Sequence, residues 1–276
     1  MEKAQDRLEV LAKIEEFEKR GAFDIDPEND PPFTPLKPGQ FDYLRKKLSS
    51  KIKRALSYKL AKKYIKKLEE NKILVLKEVI GLENLDKVKT GAIVTCNHFS
   101  PLDSFVIYNS FESKLSSKKR MFKIIREGNI ALPGFYGFLM NNNDTLPLSK
   151  NKEVLKQMLN AVDTLLNQGH YVLVYPEQAM WWNYKKPRPF KERAFKFACK
   201  NKVPVIPCFI TMKDTENLGP DGFYIQEFTM HILQPIYPNE EKTIIENAKE
   251  MCRKNYQMCV DLYEKVYDKK LEFITE

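Results

Sequence analysis

The sequence predicts an α/β fold: a central mixed β-sheet flanked by helices, with a helical segment ahead of it. Three observations carry that expectation. From Ile73 onward, short apolar runs rich in β-branched residues alternate with longer stretches of helical periodicity, the pattern of helices layered on a sheet. At 276 residues and 43% hydrophobic content, the chain can bury a substantial core. No window approaches the roughly 18 consecutive apolar residues of a membrane-spanning helix. Two regions result. Residues 1–72 hold a helix, a Pro-rich loop and a basic amphipathic helix or pair of helices, and residues 73–276 hold the α/β domain.

Taken in order, residues 1–20 are helical, with Leu8, Leu11, Ile14 and Phe17 along one face. Residues 21–40 contain Asp24, Asp26, Pro27, Pro31, Pro32, Pro35 and Pro38, too many prolines for a helix to continue, so this stretch is an ordered or wrapping loop. Between 41 and 72, Leu44, Leu48, Ile52, Leu56, Leu60, Tyr64 and Leu68 recur every fourth residue. Such spacing advances roughly 40° per step on a 3.6-residue helix, so the stripe winds around the axis. The segment is therefore two shorter helices broken near Ser49-Ser50, or one that wraps a curved surface. Strands are expected at 73–79, 92–96, 121–126, 145–148, 171–175, 204–211 and 223–233. Helices are expected at 101–111, 133–140, 151–168, 190–200 and 240–268. There is no internal repeat, glycine-rich phosphate loop or low-complexity tract.

Charge is localised. Residues 41–72 carry twelve Lys and Arg against three acids, an excess equal to the net charge of the whole chain, +9. A lysine-rich amphipathic helix lying on anionic lipid fits this composition, with Lys46, Lys47, Lys53 and Arg54 as membrane-docking residues. A solvated lysine face on a packed helix is the alternative. Nucleic-acid binding is poorly supported, because aromatic residues there are few and no recognised module surrounds the segment. The five cysteines (Cys96, Cys199, Cys208, Cys252, Cys259) lie mostly among apolar neighbours without Cys-x-x-Cys spacing, which predicts buried free thiols and no metal site. The charged N-terminus, MEKAQDRLEV, lacks the apolar core of a signal peptide. A cytoplasmic location at the inner face of the membrane is expected.

The most informative segment is Asn97-His98-Phe99-Ser100-Pro101-Leu102-Asp103, which holds one of only three histidines. Ala92–Cys96 reads as a buried strand after Gly91, and Pro101 suits the first turn of a helix capped by Ser100. His98 then leaves a strand while Asp103 enters a helix, so the carboxylate can reach the imidazole, hold its tautomer and raise its basicity. A base of that kind takes a proton from an alcohol attacking an acyl carbonyl. The spacing alone is equally that of a strand-to-helix turn whose side chains merely cap backbone groups. Further on, the strand 171–175 ends in Pro176-Glu177-Gln178, placing a carboxylate at a strand's carboxyl end, where α/β sheets bind ligands. Val203-Pro204-Val205-Ile206-Pro207 then begins a strand whose prolines suggest an edge or a bent entry.

Together and in this order, the segments resemble the glycerolipid acyltransferase family, the group of 1-acylglycerol-3-phosphate O-acyltransferases. Asn97, His98 and Asp103 match its NHxxxxD motif, Pro176 and Glu177 match PEGTR, and Val203, Pro204 and Pro207 match VPxxP, over roughly residues 70–235. The resemblance implies acyl transfer from acyl-CoA or acyl-carrier protein to a glycerolipid hydroxyl in phospholipid biosynthesis. The acceptor is most simply 1-acylglycerol-3-phosphate, giving phosphatidic acid, and no cofactor or metal is needed. His98 becomes the base, Asp103 its orienting partner, and Asn97, Glu177 and Gln178 belong to the substrate side. A base with good placement suffices for a thioester without a covalent acyl-enzyme. Cys96 is then a buried strand residue.

The departures fall on the acceptor side. PEGTR reads Pro176-Glu177-Gln178-Ala179-Met180, so the arginine that the resemblance assigns to the acceptor phosphate is a methionine. Arg126, Lys150, Lys185 and Arg188 are candidate substitutes, although Lys150 lacks a guanidinium's bidentate fork. Two alternatives follow: a different lysolipid or hydroxyl acceptor, or an inactive lipid or carrier-protein binder of the same fold. Trp181 and Trp182, the only tryptophans, line an acyl tunnel, anchor at a membrane, or pack their loop onto the core.

Overall fold

The computed structural model describes residues 2–29 and 32–274. Seven strands form one sheet in the order β1-β7-β6-β2-β5-β3-β4. They are β1 (Val75–Ile80), β2 (Ala92–Thr95), β3 (Met121–Arg126), β4 (Thr145–Leu148), β5 (Tyr171–Val174), β6 (Val205–Leu218) and β7 (Tyr224–Ile232). Strands β6, β2, β5, β3 and β4 run parallel, whereas β7 is antiparallel to β6 and has β1 parallel beside it. The sheet is mixed, as expected.

Seven helices cover it: α1 (Gln5–Lys19), α2 (Leu48–Glu70), α3 (Asp103–Phe111), α4 (Gly134–Asn142), α5 (Lys152–Asn167), α6 (Arg193–Lys200) and α7 (Ile244–Tyr267). Strand β2 is buried on both faces, which is why it reads as a continuous apolar run rather than an alternation. On one face Ala92 and Val94 join Val106 and Ile107 of α3 and Ala61, Ile65 and Leu68 of α2. On the other, Ile93 joins Val162 and Leu165 of α5, Phe195 of α6 and Met251 of α7. At the entry to β2, a β-carbon on Gly91 would stand 2.2 Å from the Leu166 carbonyl oxygen, so only glycine fits.

Two elements, strand β6 and the basic segment, refine the sequence expectation. Strand β6 runs on to Leu218, because Lys213–Asn217 pair with or flank β7 while exposing mainly polar side chains that show no alternation. The same strand lies between β7 and β2, so its prolines do not mark an edge. Pro207 is the last residue paired with β2 and Cys208 the first paired with β7, so the missing N–H falls at the change of partner. The basic segment forms one continuous helix, α2, with Ser49 and Ser50 in its first turn. Its fourfold stripe does wind: Leu48, Ile52 and Leu56 are 74%, 61% and 50% exposed, Leu60 and Tyr64 are partly buried, and Leu68 lies in the core. Among the described residues no helix is long and apolar enough to cross a membrane.

The Pro-rich stretch wraps the molecule, with Asp30 and Pro31 outside the described residues. Leu36 donates its N–H to Glu127, Gly39 donates to Gln157 (3.0 Å), and the Tyr43 hydroxyl donates to the Pro147 carbonyl (3.0 Å). The chain thereby runs along β4, the outermost strand on this side, and shields it from foreign pairing.

Asp144, fully buried just before β4, fastens α2 to the sheet. It accepts from Arg54 Nε at 2.9 Å, from the Tyr58 hydroxyl at 3.1 Å, and from the Arg120 guanidinium. Arg54 also lies over the Tyr58 ring at 4.7 Å. The expectation that Arg54 docks at a membrane is therefore corrected, since its charge is spent on a buried carboxylate, whereas Lys46, Lys47 and Lys53 are exposed. Asp144→Asn leaves two guanidinium groups with a neutral partner and should cost about 3 kcal/mol in urea unfolding; a loss below about 0.5 kcal/mol would show that the latch is not needed.

Candidate active site

The parallel strands β2, β3, β4 and β5 end at one edge of the sheet, and the residues singled out in the sequence lie along it. His98 follows β2 by three residues, Arg126 ends β3, Lys150 follows β4 by two, and Glu177 follows β5 by three. A sheet of this kind presents its ligand site at that edge, where strand ends diverge and backbone groups become available.

The His98–Asp103 pair is formed. Nδ1 of His98 lies 2.6 Å from Oδ2 of Asp103, and the same oxygen accepts from the backbone N–H of Phe99 at 3.3 Å and of Ser100 at 3.5 Å. The other oxygen, Oδ1, accepts from the Tyr175 hydroxyl at 2.7 Å. Asp103 is buried, while the His98 side chain remains 24% exposed. An ionised carboxylate only accepts, so Nδ1 is the donor and the neutral ring carries its lone pair on Nε2. Tyr175 acts twice, because its ring also stacks on the imidazole at 4.0 Å and 11°. Burial, with the adjacent Asp103 charge, pushes the Tyr175 hydroxyl well above its ordinary pKa and keeps it a donor.

Tyr175 was missed in the sequence, where it reads as the last apolar residue of a strand. Its signal is positional: two residues before Glu177, directly after β5, the strand beside β2 in the sheet order.

Asn97 was expected on the substrate side, and the structure corrects this. Its side-chain amide donates to the Ile210 carbonyl at 3.0 Å and accepts from the Ile210 N–H at 2.8 Å, copying a strand's backbone pairing and pinning the His98 turn to β6. Glu177 and Arg188 are likewise interior. Glu177 accepts from the Arg188 guanidinium at 2.6 Å, from the Arg188 N–H at 3.0 Å and from the His98 N–H at 3.2 Å. Arg188 donates onward to the carbonyls of Ala179 (2.5 Å), Phe23 (2.8 Å) and His98 (3.2 Å), and its guanidinium lies 4.7 Å from the Trp181 ring centroid. With 1% and 2% of these side chains exposed, the pair holds the backbone around His98 and offers no face to a substrate.

The remaining candidates lie at the surface. Gln178 is exposed and sits at φ +71, where the family motif has glycine, so its backbone holds a left-handed conformation that glycine adopts without cost. Lys150 is exposed. Lys185 pairs with Asp214 at 3.1 Å, and Arg126 with Asp26 at 3.4 Å. Trp181 and Trp182 are buried under α1 with Val10 and Ile14, and the Trp181 indole N–H donates to the Ile25 carbonyl at 2.8 Å. Of the three roles open to them, packing is the one the structure takes. All five cysteines are buried free thiols, and burial raises the pKa of Cys96 well above the usual thiol range, so it is no nucleophile.

Residues 77–211, which contain the dyad, β2 to β5 and the start of β6, match the family model described as Acyltransferase. A chloroplastic 1-acyl-sn-glycerol-3-phosphate acyltransferase of Brassica napus is 27% identical over 183 residues, 62% of this chain and 48% of that protein. Its counterpart in Arabidopsis thaliana is 31% identical over 149 residues, 51% of this chain and 37% of that one. The Saccharomyces cerevisiae enzyme of the same name is 26% identical over 142 residues, covering 50% and 44%. The match thus spans less than half the length of each relative. The crystal structure of a 1-acyl-sn-glycerophosphate acyltransferase from Thermotoga maritima shares the fold, with TM-score 0.50 and 20% identity over 76% of this chain and 81% of that one. From residue 77 to 211 the chain is thus similar to proteins of the acyltransferase family.

Tyr175→Phe keeps the ring stacked on His98 and removes only the donor to Asp103. A hydrogen bond to a charged group contributes about 1.5–3 kcal/mol, so chemical denaturation should show a loss of that size. Unchanged stability would mean that water replaces the hydroxyl.

Proposed function

We propose that this protein is an O-acyltransferase that moves a fatty acyl group from a thioester, acyl-CoA or acyl-carrier protein, to a glycerolipid hydroxyl. The single observation that carries the proposal is the His98–Asp103 pair at 2.6 Å, with Nε2 left as the basic nitrogen at the sheet's carboxyl edge. Nε2 takes the proton of the acceptor hydroxyl as its oxygen adds to the thioester carbonyl. The intermediate collapses by breaking the C–S bond, the imidazolium returns the proton to the departing sulfur, and the products are an ester and a free thiol. Asp103 stabilises the imidazolium, and Tyr175 with the two backbone N–H groups holds Asp103 in place.

The names of the relatives support 1-acylglycerol-3-phosphate as the acceptor and phosphatidic acid as the product, within phospholipid biosynthesis. A second reading, another lysolipid or hydroxyl acceptor, is favoured by Met180 in place of the motif's arginine. For localisation we propose a peripheral protein at the cytoplasmic face of a membrane. Leu48, Ile52 and Leu56 of α2 are exposed beside Lys46, Lys47 and Lys53, an apolar stripe among cations that suits an anionic lipid surface.

Two experiments test this. With acyl-CoA and acyl-carrier-protein donors and a panel of acceptors, His98→Ala should lower thiol release by at least a thousandfold at an unchanged melting temperature. Retained turnover would remove His98 as the base. Separately, Lys46→Glu, Lys47→Glu and Lys53→Glu combined should reduce sedimentation with anionic vesicles and leave turnover of soluble substrates intact. Unchanged sedimentation would exclude this face.

A further inference from the structure

A segment of the N-terminal loop reaches the acceptor side of the site. The Asp26 carboxylate, Oδ2, lies 3.4 Å from Nη1 of Arg126 and 3.4 Å from the backbone N–H of Met180. Arg126 is one of the candidate substitutes for the motif's phosphate-contacting arginine, and Met180 stands at that arginine's own position. The next residue, Trp181, donates its N–H to the carbonyl of His98 at 3.1 Å, so Asp26 stands beside the backbone of the catalytic turn.

The placement is built rather than incidental. Oδ1 of Asp26 accepts from the Glu28 N–H at 3.0 Å, closing a turn that sets the side chain's direction. On either side, the Phe23 carbonyl is held by Arg188 (2.8 Å), Asp24 by Lys191 (2.8 Å) and the Ile25 carbonyl by the Trp181 indole (2.8 Å). Other cations of this region are matched as well, with Lys186 on Glu18 at 2.5 Å and Lys185 on Asp214 at 3.1 Å. Yet the two contacts of Oδ2 are long for charge-assisted bonds, and Arg126 remains 46% exposed. The Asp26 carboxylate therefore stands where an anion would meet the solvent-facing part of Arg126.

We infer that Asp26 is a specificity-determining residue that disfavours acceptors ending in a phosphate monoester relative to acceptors without that charge. This rests on the acyl-transfer reading above. A phosphate monoester carries close to two negative charges at neutral pH. At Arg126 it meets a carboxylate already in position, and Met180 supplies no second cation to offset the repulsion. A neutral acceptor such as a monoacylglycerol meets no such opposition.

The test compares 1-acylglycerol-3-phosphate with monoacylglycerol as acceptors for the full chain and for Asp26→Asn, which keeps the turn and the contact to Met180 but removes the charge. Expected is a roughly tenfold rise in kcat/KM for the phosphorylated acceptor, carried by KM, with monoacylglycerol unchanged. The gain should vanish in Asp26→Asn combined with Arg126→Gln. An equal change for both acceptors, or a fall with the phosphorylated one, would overturn the proposal. Asp26→Ser serves as a second variant should the amide not fold, judged by melting temperature. If no acceptor is acylated by any form, the acyl-transfer reading fails, and Asp26 is then judged by direct binding of 1-acylglycerol-3-phosphate. Tighter binding to Asp26→Asn supports its role, and unchanged binding refutes it.

Discussion

The buried ion pair between Glu177 and Arg188 is the interaction on which the site depends. One guanidinium and one carboxylate, both removed from water, tie together the end of β5, the turn carrying His98, the tryptophan loop and the N-terminal strap. Burying two charges is tolerable only when their remaining hydrogen-bonding capacity is met, and here both carboxylate oxygens and both terminal guanidinium nitrogens have partners. Because the pair grips the His98 N–H and carbonyl, it fixes the backbone from which the imidazole projects. The His98–Asp103 geometry follows from that placement, as does the stacking of Tyr175. A residue expected to read the substrate proves instead to hold the His98 backbone in position.

The N-terminal third of the chain completes the same construction from outside. Helix α1 covers Trp181 and Trp182, the N-terminal loop brings Asp24 to Lys191 and Asp26 to Arg126, and the stretch from Leu36 to Arg45 runs along β4. Helix α2 is latched through Asp144 at one side and leaves three apolar residues facing out among lysines. The charge excess of residues 41–72 is thus divided. Arg45 and Arg54 serve the interior, and the exposed lysines remain for an outside partner.

Local patterns in the sequence revealed the strands and helices of the domain, because each rests on a periodicity of neighbouring residues. They also revealed His98 and Asp103, whose five-residue separation across a strand-to-helix turn is itself local. What stayed hidden depends on pairing across the chain. Tyr175 meets Asp103 from 72 residues away, Asn97 meets Ile210 from 113, and Arg54 meets Asp144 from 90. Arg188 was noticed as one cation in a cluster, but nothing in its neighbours distinguishes a buried guanidinium from a solvated one. The winding of the α2 stripe was legible, whereas the point at which it passes from solvent to core was set by the sheet beneath it.

The most direct test of the catalytic arrangement is the tautomer of His98, read by nitrogen-15 chemical shifts in the substrate-free protein, with His170 and His231 assigned as references. An ionised Asp103 held by Tyr175 and two backbone N–H groups requires the neutral imidazole to carry its proton on Nδ1 and to present a bare Nε2. That pattern is the predicted result. A neutral ring protonated on Nε2 would contradict it, because Nε2 could then take no proton.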